Sequence, residues 1–414
     1  MREEILANIE NSKQLEKLYQ DNSTIFKKEF SLLYPEIKEK PIANFWNERL
    51  NYTNQEISWG SKNELTFVII ASLLAGIIAK FPLLFNIPEE SFYQRNVSFI
   101  VFPLLTIYFS WKTKLLPKKL LIISIVTLLA LIFINLLPNN NSDTLKLACI
   151  HLPLFLWTIL GFAFVGGKLS NDQKRIDFLK FNGDFLILTG LLLISGGLLT
   201  GLSIGLFELL GFKIETFYTE YVIVFGLAAA PLLSTFITQS NPQLINRVSP
   251  VIAKLFCPLV LITLVAYLVA VIFSGKDLYN DRDFLMLFNA MLIGVMAIIF
   301  FSIAETSKTK SSQTEFIFLF LLSFVTIIVN GIALSAILFR IFELGGITPN
   351  RLAVLGGNLL IFTNLLLVTF NLFKVIKKKC EIEEVEKTIS KYLTVYSIWT
   401  MIVIFVFPFI FGFK

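Results

Sequence analysis

Apolar residues dominate the chain from Leu65 onward in long unbroken runs, separated by short polar or charged stretches. Eleven such runs can be marked, at 65–85, 97–111, 120–137, 145–167, 184–209, 219–239, 251–273, 284–304, 316–339, 352–373 and 395–412. At 1.5 Å of rise per residue, most are long enough as helices to cross about 30 Å of hydrocarbon. The run 97–111 is the weakest, being short and interrupted by Pro103. The predicted fold class is therefore all-α, a polytopic transmembrane helical bundle of about 11 spans over residues 65–414.

Residues 1–64 read differently. Their apolar positions recur at helical spacing, at Ile5, Ile9, Leu15, Leu18, Tyr19, Phe26, Phe30 and Leu33, among nine basic and eleven acidic residues. We expect two or three short helices, broken at Pro35 and Pro41, forming an amphipathic cytoplasmic lead-in to the bundle. Trp46, Tyr52 and Trp59 are then expected where amphipathic rings settle, at the headgroup level. No apolar core followed by small residues opens the chain, so no cleavable signal peptide is expected.

Composition agrees with a membrane setting: 55% of the 414 residues are hydrophobic and 16% charged, with a mean hydropathy of +0.72. The net charge of +6 is a topology signal, because the Lys and Arg residues concentrate in alternate loops. Eighteen fall in the loops on the amino-terminal side and eight on the opposite side. The positive-inside rule then puts the amino terminus in the cytoplasm and the carboxyl terminus outside. No segment interleaves basic and aromatic residues on a soluble surface, which argues against nucleic acid. Cys149, Cys257 and Cys380 lie far apart and imply no disulfide framework. All connections are short, so no nucleotide-binding or kinase module is attached.

Motifs for metal hydrolysis, serine acyl transfer and phosphate cradling are missing from the sequence, so no catalytic residue, metal ligand or cofactor is assigned. The single His151 reads as a hydrogen-bonded interfacial side chain. Lys80, Asp184, Glu208, Lys254 and Glu305 sit within a turn or two of expected helix ends, and the missing midplane charge argues against a proton-driven pump.

Three patterns remain. Gly197, Gly201 and Gly205 repeat every four residues, which predicts close helix packing. Asn289, then Ser323, Thr326 and Asn330, then Asn358, Asn364 and Asn371 interrupt apolar runs, with stripes at helical spacing. Such amides face protein, as interhelical hydrogen bonds or as the lining of a hydrated outer-half pocket. Finally, Thr348 and Pro349 mark a helix start, which places Arg351 in the first turn against the helix dipole. Arg351 should be compensated by Glu343, a lipid phosphate or a bound anion, whereas Arg340 suits the end of the preceding helix.

The stretch Gly346, Ile347, Thr348, Pro349, Asn350, Arg351 is similar to a Gly-hydrophobic-Thr-x-x-Arg element of bacterial membrane proteins in the domain of unknown function 4153 family. Leu15 to Tyr19, Phe26 to Phe30 and the entry Ile57 to Gly60 resemble its Bacteroidetes-type members, while Gly345 stands where that pattern has an aromatic residue. The resemblance implies a bacterial inner-membrane protein and supplies no reaction.

Three functional readings follow. The first is a non-enzymatic protein that binds or moves a small polar, anionic or lipid-like ligand, with Arg351 on an anionic group, Asn330 and Asn358 orienting it, and Arg340 and Glu343 alongside. The second is a scaffold or regulatory subunit whose cytoplasmic surface takes a protein partner. An intramembrane enzyme on lipid-linked substrates is the weakest, for want of deep acid-base residues. Membrane lipids are partners in all three, and the sequence sets no oligomeric state.

Overall fold

A computed structural model describes the chain except residues 1, 22, 52–60, 139–141, 169, 210–212, 242–248, 275–278, 280–281, 307–312 and 344. The chain divides into two compact units, Met1–Ser58 and Trp59–Lys414.

The first unit holds α1 (Arg2–Ala7), α2 (Ser12–Asp21), α3 (Ser23–Ile37) and α4 (Pro41–Asn51). Its apolar stripes close on one another: Ile5, Leu15, Phe26, Phe30, Leu33 and Trp46 are all buried. Three expectations change here, the first being that four helices form where two or three were expected. Trp46 is a core residue, its ring 5.1 Å from that of Phe26, because burying its indole with Phe26 and Phe30 removes more apolar surface from water than four short helices could otherwise cover. Pro35 lies inside α3, where a missing N–H so close to the helix end costs a single hydrogen bond. Pro41 does start a new helix. Tyr52 and Trp59 lie outside the described residues. Arg49 stacks 4.6 Å over Trp46 and pairs with Glu16 at 2.6 Å.

The second unit is an all-α bundle. It runs through α5 (Lys62–Ala79), α6 (Phe81–Phe85), α7 (Glu89–Lys112), α8 (Pro117–Leu136), α9 (Asp143–Phe164), α10 (Asp172–Leu209) and α11 (Glu215–Phe217). A π-helical turn, Tyr218–Val222, leads into α12 (Ile223–Ser240), followed by α13 (Ser249–Ser274), α14 (Arg282–Thr306), α15 (Gln313–Glu343), α16 (Pro349–Ile376), α17 (Ile382–Phe405) and α18 (Phe407–Ile410). Among the described residues, nine helices are long and apolar enough to cross a membrane. The protein is a multi-pass membrane protein.

Two of the eleven expected runs fall outside those nine. The run 251–273 lies in α13, where Cys257–Ala266 is described as an apolar helix. The run 97–111 belongs to α7, whose 24 residues give about 36 Å of length. Its polar side chains Arg95, Asn96, Ser98, Thr106 and Ser110 are all buried, so α7 carries its polarity toward protein rather than lipid.

Two apolar cores organise the bundle. One joins α5, α7, α8, α9 and α12 with Phe178 and Phe181 of α10 and Ile404 of α17, and the other joins α13 to α17 with Ile176 and Leu179 of α10. Trp157 of α9 packs against both. A Cβ at Gly356 would overlap the Trp399 indole, and one at Gly183 would overlap Phe301. With Gly76 against Phe225, those glycines mark close helix contacts, α16 on α17, α10 on α14 and α5 on α12.

Among the described residues, the contact expected at Gly197 and Gly201 is not made. A Cβ added at Gly197 or Gly201 meets nothing within 4 Å, and the neighbouring Leu198, Leu199 and Leu202 are exposed. The side-chain surroundings of Gly205 lie outside what is described. The face of α10 that carries Gly197 and Gly201 is turned away from the described helices.

Candidate ligand-binding site

The loop before α16 forms as its residue types require. Gly345 and Gly346 take φ of +96° and +83°, and the Gly346 N–H donates to Ile341 O at 3.0 Å, closing the end of α15 in the left-handed manner that glycine permits. Thr348 caps α16 by accepting from the Arg351 N–H at 3.3 Å. The Arg351 guanidinium folds back and donates from Nη1 to Gly346 O at 2.7 Å. A loop carbonyl therefore takes one of the guanidinium hydrogens that was expected to reach Glu343 or an anion; Glu343 itself is exposed.

Asn330 and Asn358 are brought together. Asn330 Nδ2 donates to Asn358 O at 3.1 Å, and Asn358 Nδ2 donates to Asn289 Oδ1 at 2.7 Å. Arg340 is ten residues beyond Asn330 on α15, about 15 Å along the axis, and Arg351 is seven residues before Asn358 on α16, about 10 Å away. The five residues thus split into a buried amide cluster and a half-exposed loop. The seam continues inward: Asn364 donates to Tyr396 Oη at 3.1 Å, Thr369 to Ser323 at 2.9 Å and Asn371 to Thr388 at 2.8 Å. Each bond joins two helices, so these amides and hydroxyls hold α14, α15, α16 and α17 in register.

Two of the ionisable residues, Asp184 and Glu305, are buried, whereas Glu208 is exposed and Lys80 caps the end of α5. Glu305 is 2% exposed and pairs with Lys180 at 3.3 Å, linking α14 to α10. Asp184, expected near a helix amino terminus, is buried three turns inside α10, because helix begins as early as Asp172. Arg175 donates to Ser390 O at 2.8 Å and to Thr394 Oγ1 at 2.7 Å, tying α10 to α17. His151 engages Leu147 O at 2.9 Å through Nδ1.

A further site lies elsewhere, between α7 and α8. A cleft of about 710 Å³ runs from Ser91 to Ile107 on α7 and from Leu120 to Asn135 on α8, roughly 24 Å on the α7 side. That volume lies in the range of small-molecule sites, about 300–1,000 Å³. Phe99, Pro103, Ile123 and Leu131 form its apolar walls, with Thr106, Ser124 and Thr127 spaced between them.

Helix α8 is pinned at both ends of this cleft. At its carboxyl end, Arg95 Nη1 lies 3.0 Å from Ile134 O, 3.2 Å from Asn135 O and 2.9 Å from Leu137 O. These are terminal helix carbonyls with no partner of their own, and a cation there also suits the dipole. Asn96 and Asn135 exchange amide hydrogen bonds beside it, at 3.0 and 2.8 Å. At the other end, Lys119 donates to Gly167 O at 2.7 Å. Between the pins, α8 turns Leu121, Ile122, Leu128 and Leu129 outward.

Sequence reasoning placed Arg95 in an exterior loop and did not single out Asn96 or Asn135. A signal was present: three consecutive polar residues, Gln94 to Asn96, ahead of an apolar run. Reading them as helix requires knowing that α7 starts at Glu89. No protein-family model, no curated protein and no solved structure matches the chain.

Proposed function

We propose that this protein binds a lipid-like amphiphile whose apolar chain lies in the cleft between α7 and α8. The observation that carries the reading is the shape and lining of that cleft. It is long, narrow and largely apolar, and it lies between helices of a membrane bundle, with α8 clasped by Arg95 at one end and by Lys119 at the other. This reading keeps the lipid-like ligand and moves it away from Arg351, where Asn330 and Asn358 are already bonded across helices. A cytoplasmic amino terminus, a bacterial inner membrane and kinship with the domain of unknown function 4153 family complete the proposal, supported by the loop charges and the Gly346 to Arg351 motif.

The test is photolabelling of the purified full chain with a diazirine-bearing fatty acid, with adducts mapped by mass spectrometry. Adducts should concentrate on Pro103, Thr106, Ser124 and Thr127. Ser124→Trp, which fills the cleft from a lipid-facing helix, should remove them. Labelling spread evenly over α8 and α10, and unaffected by Ser124→Trp, would eliminate the cleft.

A second reading, a scaffold with a protein partner, draws support from the Met1–Ser58 unit, which has an apolar core of its own around Trp46. Co-purification with and without that unit tests it, and identical partners in both preparations would dismiss it.

A further inference from the structure

We infer that the chain bound between α7 and α8 carries a hydroxyl part-way along its length, about 15 Å from the Asn96 and Asn135 end of the cleft. The ligand is then a hydroxylated, single-chain amphiphile. This rests on the chain-binding reading above and adds to it a second polar group and its position.

The two helices are joined at one level of the cleft and not at the next. Asn96 and Asn135 exchange hydrogen bonds across it. Ten residues further along α7 stands Thr106, and ten residues back along the antiparallel α8 stands Ile125, flanked by Ser124 and Thr127. Thr106, Ser124 and Thr127 all line the cleft, yet among the described residues no hydrogen bond joins the two helices at this level. Thr106 instead donates to Phe102 O at 2.8 Å and Thr127 to Ile123 O at 2.7 Å, each within its own helix.

Those bonds use the only hydrogen of each threonine hydroxyl and leave its lone pairs as acceptors. Pro103, also in the lining, adds to the same set, because it has no N–H to give Phe99 O one helical turn before it. Three acceptors therefore stand against one donor, the Ser124 hydroxyl. A hydroxyl on the ligand matches that set, since it donates to one acceptor and accepts from Ser124. An ammonium group would donate as well, but no Asp or Glu lines the cleft to hold its charge in a medium of low dielectric.

The spacing places the hydroxyl on the chain. An extended chain rises about 1.2 Å per bond, a third of its reach per residue, so about 15 Å is roughly twelve bonds. Ser91, Asn96 and Asn135 make the far end polar enough to hold the head, and Phe99 and Leu131 line the apolar stretch between.

The experiment uses the full chain in nanodiscs of phosphatidylcholine, labelled with the diazirine fatty acid and challenged with stearate, 2-hydroxystearate, 7-hydroxystearate or 12-hydroxystearate. The 7- and 12-isomers share one head and one polarity, so a difference between them reports position alone. One net hydrogen bond predicts that the 12-isomer displaces label about fivefold better than the 7-isomer or stearate. Thr106→Val and Thr127→Val, made separately, keep the side-chain size and remove one acceptor each. Each should cut that advantage to about twofold or less, and either one keeps the test alive if the other does not fold. An advantage untouched by both substitutions overturns the inference, as does a preference for the 2- or 7-isomer. Equal displacement by stearate and the 12-isomer, with adducts still in the cleft, overturns the hydroxyl while chain binding stands. Absence of cleft adducts in the wild type removes chain binding and this inference together.

Discussion

Replacing Arg95 by Met should release the carboxyl end of α8 and leave the far core intact. The Nη1 group carries two hydrogens, shared among the carbonyls of Ile134, Asn135 and Leu137. Hydrogen bonds from a charged donor contribute about 1.5–3 kcal/mol each, and the partly exposed Asn135 end recovers some of that from water. A net loss of about 3 kcal/mol follows, which is roughly a hundredfold increase in the opening equilibrium of the last turns of α8. Hydrogen–deuterium exchange of the purified protein reads this directly: amides at 130–137 should exchange about a hundredfold faster, while those of α15 and α16 stay unchanged. Arg95→Lys should restore only part of the protection, since a single ammonium cannot reproduce the planar fork. Unchanged exchange at 130–137 in Arg95→Met would refute the clasp and the account of how the cleft is held open.

Three further outcomes follow from the packing and charge pairing. Gly356→Val should destabilise the bundle by about 2–3 kcal/mol in thermal unfolding, because its side chain meets the Trp399 indole; Trp399→Ala in the same chain should recover part of the loss, and a mutant as stable as wild type would show that α16 and α17 can separate freely. Gly197→Leu and Gly201→Leu should change the stability of the solubilised monomer by less than about 0.5 kcal/mol, given the empty space around both positions, and a larger loss would mean that this face packs on something within the chain. In the first unit, the hydrogen bond from Arg49, with a smaller one from Gln20, holds the Glu16 carboxyl below its ordinary value. Its contribution to stability is therefore present above the unfolded value and fades as pH falls through the folded one. A carboxyl NMR titration should place Glu16 lower than in an Arg49→Leu variant, and coincident midpoints would discount the pair.

The chain of inference from sequence reached furthest where the bilayer itself enforces the outcome. Unbroken apolar runs from Leu65 onward must become helices, because only internal hydrogen bonding satisfies a backbone in hydrocarbon. The cap at Thr348 and Pro349 was legible for a similar local reason, as its bonds span three residues. Asn330, spaced with Ser323 and Thr326, and Asn364, spaced with Asn371, could be assigned to protein-facing stripes from spacing alone.

What each of those side chains meets was decided only by tertiary structure. Arg351 finds Gly346 O because two left-handed glycines turn that carbonyl toward it. Gly197 and Gly201 carry a strong packing pattern yet find open space, since a small-residue stripe says how near a partner can come and not whether one is there. Arg95 looked like a loop cation until α8, some forty residues later, ended beside it. The sequence alone determined which segments had to be helical and apolar, through local and solvent-driven forces. The packing of non-adjacent helices decided where the polar atoms were buried, and with them the cleft, because those contacts depend on separations that no local pattern encodes.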